Sequence, residues 1–374
     1  MNISRRDWLK KSSLTAGMAF LGGIGTYSSL TAEEKSKFNP RPLEPLIRLG
    51  SNENPYGPSQ KMREAMQKGF DLSCRYPWAY NQPLIDMIAA KEGVPSDHIV
   101  LTAGSTEGLK IAGLTYALNG GEIISGLPTF LSLMTYAEIW GASINWVPLD
   151  QDMNFDLPEI EKRISSKTKL VFLCNPNNPT GKLLPAQQVM DFCESVSNKT
   201  MIFSDEAYYD YIEDPNYPSM VELVKKGKNV IVSKTLSKIY GLAGIRIGYL
   251  IAKPEIAADL SNRVVANLNI MAIEAAKAAL SDDEFYQFSL QKNIEARKSI
   301  ETTLDHLGLE YLPSQANFVF FDAKQYVVQL AEKMREKGVI IGRPFPPFNE
   351  WCRISTGTME EVSFFNKAIT ELYT

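Results

Sequence analysis

An α/β fold built on a largely parallel sheet is what this sequence predicts, and three observations carry the prediction. Apolar, β-branched runs of strand type alternate with helix-type stretches from residue 99 to 251, the pattern of strand–helix–strand units. With 374 residues, 44% hydrophobic and 22% charged, the chain has enough apolar surface for one large domain and a smaller one. Beyond residue 251 the alternation gives way to helices at 255–265, 273–280 and 283–307. Strands return at 317–322 and 351–355 with a helix at 325–337 between them, which marks a second α/β domain.

Composition narrows the function classes. A net charge of −4 and a pI near 5.5, with lysines and arginines scattered, provide no basic field for nucleic acid. Four cysteines without CxxC spacing and only two histidines argue against a metal site and for reduced, mostly buried thiols.

The N-terminus departs from this pattern. Ser4-Arg5-Arg6-Asp7-Trp8-Leu9-Lys10 precedes a mild apolar stretch at 14–30 and resembles a twin-arginine export signal. Gly17, Gly22, Gly23 and Gly25 would each cost about 1 kcal/mol in an amphipathic helix, the alternative reading. The stretch is short and glycine-rich for a membrane span. The expectation is a signal at 1–32, cleaved after Ala32, and an exported protein without a stable membrane span after its removal. A retained anchor and a cytoplasmic location stay open. Residues 33–45, charged and proline-rich, read as a tether.

The folded part begins near Leu46. An extended piece, Leu49-Gly50-Ser51-Asn52-Glu53-Asn54-Pro55-Tyr56-Gly57-Pro58, ends in a turn, and a helix follows to about residue 68. Residues 46–70 are expected to pack with the small domain, 71–255 to form the large one and 256–374 the small one. Arg75-Tyr76-Pro77 holds a tyrosine in extended chain before a helix at 83–91. The strand at 98–102 runs into Ala103-Gly104-Ser105-Thr106, where a helix start offers free N–H groups, its dipole and two hydroxyls: a seat for an anion, or a plain N-cap. A strand at 122–125 leads to Pro128-Thr129-Phe130. The apolar strand at 169–174 runs into Asn175-Pro176-Asn177-Asn178-Pro179-Thr180-Gly181, a fixed turn at the carboxyl end of a buried strand, where α/β sheets bind ligands. After a helix at 185–197, the strand at 201–204 delivers Asp205-Glu206-Ala207-Tyr208, and a carboxylate there is costly unless paired.

The chemical centre is the turn between apolar strands at 229–233 and 245–251, Ser233-Lys234-Thr235-Leu236-Ser237-Lys238, with Arg246 beyond it. A lysine held there can lose its proton on desolvation and form a Schiff base with an aldehyde; Thr235, Ser237 and Arg246 suit a phosphate. Near the C-terminus, Gly342-Arg343-Pro344 and Cys352-Arg353-Ile354-Ser355 present two arginines able to fork an anion.

Together these motifs, S-K-T-L-S-K-I-Y-G-L-A-G-I-R, N-P-N-N-P-T-G, D-E-A-Y and R-I-S-T-G-T, resemble the class I/II pyridoxal-phosphate aminotransferases, in particular the histidinol-phosphate aminotransferase-like branch. The resemblance runs from about residue 46 to the end. It implies the fold-type-I arrangement: a large domain with a mostly parallel seven-stranded sheet, a smaller C-terminal α/β domain, and a homodimer with shared active sites. It implies pyridoxal 5′-phosphate bound through Lys238, not Lys234, with Asp205 on the pyridine nitrogen, Asn178 and Tyr208 on the phenolic oxygen and Phe130 stacked on the ring. Gly104, Ser105, Thr106, Thr235, Ser237 and Arg246 would hold the phosphate, and Tyr76 would reach the partner subunit's phosphate. Arg353 and Arg343 would bind the substrate's anionic group, and Asn54 and Tyr56 would touch substrate. Leu133 stands where relatives often carry an aromatic, which leaves the substrate open. The expected activity is amino transfer between an amine, histidinol phosphate among the candidates, and a 2-oxo acid. A decarboxylase of the same fold and a non-catalytic pyridoxal-phosphate-binding exported protein stay open.

Overall fold

The computed structural model describes residues 46–118, 120–265 and 267–374; the expected signal and tether lie outside the described residues. The strands are β1 (Ile47–Arg48), β2 (Ile99–Thr102), β3 (Glu122–Leu127), β4 (Ser143–Pro148), β5 (Thr168–Cys174), β6 (Met201–Asp205), β7 (Val230–Thr235), β8 (Gly248–Ile251), β9 (Tyr311–Leu312), β10 (Phe318–Asp322), β11 (Val339–Ile340) and β12 (Trp351–Ser355). Seven form one sheet in the order β2-β8-β7-β6-β5-β3-β4. The four pairs from β7 to β4 are parallel, and β8 runs antiparallel to both its neighbours. The sheet is mostly parallel, as expected, and its central strands are the continuous apolar runs that a sheet covered on both faces requires.

This topology puts the chemistry on one edge. β8 reverses direction between β2 and β7, so β2 again runs with β5, β6 and β7, and the carboxyl ends of all four point the same way. Thr102, Cys174, Asp205 and Thr235 end these strands, each followed by one of the sequence motifs. The turn at 236–247 is clamped because the strands flanking it pair directly, Thr235 with Gly248 and Lys234 with Tyr249.

A second core gathers Ile47, Leu49, Ala296, Ile300, Val319, Phe321, Leu330, Ile354 and Phe365. β9, β10 and β12 form its antiparallel sheet. β1 pairs in parallel with β11, so the N-terminal segment is stitched to this smaller body.

Three expectations are corrected. The helices Pro254–Ser261 and Ile270–Leu280, assigned to the small domain, instead bury Ala257, Leu260, Ala272 and Ile273 in the two core layers of the large body. Only from about Ala296 does the long helix Asp283–His306 enter the second core, so the chain passes over later than residue 255. The helix expected at 83–91 begins at Trp78; Pro83 lies inside it, where its missing N–H forfeits one helical bond but does not set the start. β4 was not legible as a strand, since Ser143-Ile144-Asn145-Trp146 mixes polar and apolar residues on an edge that is only partly buried.

Candidate active site

At the end of β7 two lysines sit four residues apart, and the structure separates them. Lys234 Nζ lies 2.9 Å from Glu92 Oε2 and 3.6 Å from Glu206 Oε2. Desolvation opposes its charge, but Glu206 and Glu92 together outweigh it and keep the ammonium charged well above the usual lysine range. Lys234 is thus a paired, buried cation.

Lys238 points elsewhere. Its Nζ donates to the carbonyl of Asn52 at 2.9 Å and stands 5.5 Å from the centre of the Tyr208 ring. Burial, then the neighbouring charge of Arg353, pushes its pKa down to about 8, with Glu53 and Asp205 opposing. A fraction of this amine is neutral near physiological pH, as a nucleophile or proton carrier requires.

Asp205 closes β6 at 2% exposure. Its carboxylate receives only a 3.3 Å hydrogen bond from the Ala207 N–H among the described residues. Desolvation lifts its pKa to about 7, against the Ala207 bond and Lys238. Its neighbour Glu206, equally buried, is instead satisfied by Ser219, the Met220 N–H and Lys234. Asp205 is left short of a cation.

The anion seat is assembled from three segments. Gly104 adopts φ +82° before the helix Ser105–Ala117, and a Cβ there would stand 2.2 Å from Arg246 Nη2. No side chain caps this helix start among the described residues, so its N–H groups stay available. Gly108 lets the same helix press on Leu250 of β8. Arg246, itself at φ +65°, is aimed by the carbonyls of Ala243 (2.7 Å) and Ala103 (3.1 Å) and lies 3.5 Å from Ser237 Oγ. Thr235 Oγ1 donates to Ser237 Oγ at 2.9 Å. Gly104, Ser105, Thr106, Thr235, Ser237 and Arg246 are therefore brought together.

From β12, Arg353 donates to Asn178 Oδ1 at 2.6 Å and to the Gly50 carbonyl at 2.7 Å. It is buried, its Nε has no partner and no carboxylate lies within ion-pair distance among the described residues. Asn178 Nδ2 reaches Tyr208 Oη at 3.5 Å. Arg343, exposed, stacks 4.4 Å from the Phe345 ring centre, and Arg353 lies 5.0 Å from the same ring.

Four other expected residues have these surroundings. Phe130 is half-buried against the core layer that includes Phe172 and Phe203. Tyr76 is 72% exposed and stacks on Trp78. Asn54 and Tyr56, expected to touch substrate, are engaged otherwise. The Asn54 amide donates to the Ile239 carbonyl (2.6 Å) and Ser289 Oγ (3.0 Å), and accepts from the Tyr56 N–H. Tyr56 is buried edge-on against Phe288. Sequence reading passed over Asn52, Ser355 and Gly50, which bond to the site residues; the first asparagine of N-E-N-P was the available signal.

These residues fit one kind of ligand: an anionic tail for the helix start and Arg246, a cationic ring atom for Asp205 and an aldehyde for Lys238. Comparison with known proteins names it. Residues 44–369 match the family model "Aminotransferase class I and II". The chain belongs to the class I and II aminotransferase family. This aminotransferase is 36% identical over 334 residues to a histidinol-phosphate aminotransferase of Moorella thermoacetica, covering 88% of this chain and 86% of that one. It is 34% identical to the Limosilactobacillus fermentum histidinol-phosphate aminotransferase, over 93% and 98% of the two chains. The solved histidinol-phosphate aminotransferase of Sinorhizobium meliloti, in complex with pyridoxal-5′-phosphate, superposes with TM-score 0.81 at 26% identity, over 96% of this chain and all of that one. The aminotransferase therefore has the fold-type-I architecture and uses pyridoxal 5′-phosphate. Among its described residues no helix is long and apolar enough to cross a membrane.

Proposed function

We propose that this aminotransferase moves the amino group of histidinol phosphate to a 2-oxo acid, and that it does so outside the cytoplasm as a homodimer. The observation that carries the substrate is Arg353, a buried cation without a carboxylate partner among the described residues, with a second arginine across Phe345. Both proposed substrates are anions, one through a phosphate and the other through carboxylates. The relatives named above support the amine.

Bound pyridoxal phosphate supplies an aldehyde and an electron-withdrawing ring. In the proposed roles Lys238 holds the cofactor, and its freed amine then takes the proton from the substrate carbon bearing nitrogen and returns it elsewhere. Asp205 keeps a negative charge beside the ring nitrogen, and Tyr208 and Asn178 hydrogen-bond the phenolic oxygen. Phe130 covers one face of the ring, and the helix start with Thr235, Ser237 and Arg246 holds the phosphate. Arg353, assisted by Arg343, orients the substrate's anion. Tyr76, exposed here, completes the phosphate site of a second subunit. The twin arginines at Arg5 and Arg6 would export the chain already folded around its cofactor.

The test is a panel of amino donors with 2-oxoglutarate, with carbon dioxide release followed in parallel. The expected result is the highest kcat/KM for histidinol phosphate and no carbon dioxide. Preference for a carboxylated donor, or decarboxylation, overturns the substrate assignment.

A further inference from the structure

Asn52 is buried to 1% exposure at φ +54°, a left-handed conformation that asparagine tolerates better than most residues. Its main-chain carbonyl accepts from Lys238 Nζ at 2.9 Å, and its Nδ2 lies 2.9 Å from Tyr208 Oη. One residue not among the expected site residues thus touches both the lysine and the tyrosine of the site.

The hydrogen bonds around it form one self-consistent set. The Asn52 N–H can only donate, and it lies 2.8 Å from Ser355 Oγ, so that oxygen accepts. The Ser355 hydroxyl hydrogen is then free for Asn52 Oδ1, also at 2.8 Å. With Oδ1 taking that hydrogen, Nδ2 faces Tyr208 and donates. On the other side Arg353, which has no acceptor, fixes Asn178 Oδ1 and turns Asn178 Nδ2 toward the same phenol at 3.5 Å. Two amide donors therefore converge on Tyr208 Oη. Its own proton must leave in a third direction.

We propose that Asn52, oriented by Ser355, is a positioning residue that compels Tyr208 to act as a hydrogen-bond donor toward the cofactor's phenolic oxygen. The proposal rests on the reading that Lys238 and Tyr208 hold the cofactor. Asn52 also draws the phenol's pKa down, against the larger upward effect of burial, and a more acidic phenol donates more strongly. Ser355 ends β12 two residues after Arg353, and its N–H bonds the Leu49 carbonyl, so the orientation is set by the smaller body. The other charged or titratable groups facing this pair are Arg353, Asp205, Cys174, Glu53 and Arg246.

A donor on the phenolic oxygen stabilises the form of the bound cofactor whose link to Lys238 is unprotonated, so loss of that donor raises the pH midpoint of the visible absorbance change. Asn52→Gly keeps the positive φ and the carbonyl under Lys238 and removes only the amide. Its holoenzyme should show a midpoint higher by about half a unit, the size expected for one ordinary hydrogen bond at 1.36 kcal/mol per unit. Ser355→Ala, which frees the amide to turn, should move it the same way and less, and serves if the glycine variant does not fold. In a Tyr208→Phe background, Asn52→Gly should add nothing. An unmoved midpoint in Asn52→Gly, or an equal shift with and without Tyr208, overturns the proposal. A visible band retained in Lys238→Ala would overturn the underlying site reading instead, whatever Asn52 does.

Discussion

Replacing Asp205 with asparagine should stabilise the cofactor-free protein while disabling the enzyme, and the stabilisation should grow with pH. Asp205 has a folded-state pKa of about 7 against 3.8 for the free side chain, chiefly through burial. Between those values the folded chain holds a proton that the unfolded chain has released, so stability falls as pH rises through this window. At 1.36 kcal/mol per unit, the penalty is about 1.6 kcal/mol at pH 5 and about 4 kcal/mol at pH 7, good to roughly a unit of pKa. Asparagine does not titrate, so the stability difference between variant and wild type should widen by about 2 kcal/mol from pH 5 to pH 7. Lys238, with its pKa lowered to about 8, titrates above this range and contributes little to the change. The assay is urea unfolding of both proteins, stripped of pyridoxal phosphate, at matched concentration across that interval. Cofactor should reverse the order, because a protonated ring nitrogen gives the carboxylate its cation. A difference that stays constant with pH, or narrows, would refute the account of Asp205 as an unpaired buried acid.

Three other outcomes are expected. Arg353→Lys should raise KM for anionic substrates at least about tenfold, since an ammonium cannot reproduce the guanidinium fork, and should affect an uncharged primary amine far less; equal losses for both donors would make Arg353 structural. Gly104→Ala places a methyl 2.2 Å from Arg246 Nη2 at φ +82°, so pyridoxal-phosphate affinity measured by equilibrium dialysis should fall by an order of magnitude or more, whereas an unchanged Kd would remove Gly104 and Arg246 from the phosphate seat. Residues 1–37 fused to a reporter active only outside the cytoplasm should give signal that is lost in the Arg5→Lys, Arg6→Lys pair; equal signal from both would exclude twin-arginine export.

Much of the site was legible because its parts are local in sequence. Asp205 ends a strand and Gly104, Asn178 and Lys238 lie in the turns just beyond strand ends, and apolar runs ending in such turns identify the strand ends without a structure. Asn52 was not legible. Its partners Tyr208, Lys238 and Ser355 lie 156, 186 and 303 residues away, and no periodicity reports contacts of that kind. The crossing between the two bodies was misjudged for a related reason. The helix Ile270–Leu280 is apolar on several sides, and sequence alone does not say which core it enters. For Asn54, a polar residue in a turn, sequence held no sign that its amide also ties that turn to Ile239 and Ser289.

The two lysines of the central turn show why position in the fold, and not residue type, selects the reactive amine. Both sit at the end of β7, and desolvation is the largest influence on each. Lys234 has two carboxylates within 4 Å and remains charged. Lys238 rests on a neutral carbonyl and is also repelled by Arg353, so its ammonium is destabilised. Asp205 is the complementary case, an acid driven toward neutrality by burial, with one long hydrogen bond from an amide as its sole such bond among the described residues. If Asp205 and Lys238 formed a close ion pair, the carboxylate would be held below its ordinary range and the ammonium above. Both are displaced the other way, and among the described residues neither is in a close ion pair. A ligand with an aldehyde and a protonatable ring nitrogen supplies a partner for each, which gives the preference for pyridoxal phosphate a basis in desolvation as well as in shape.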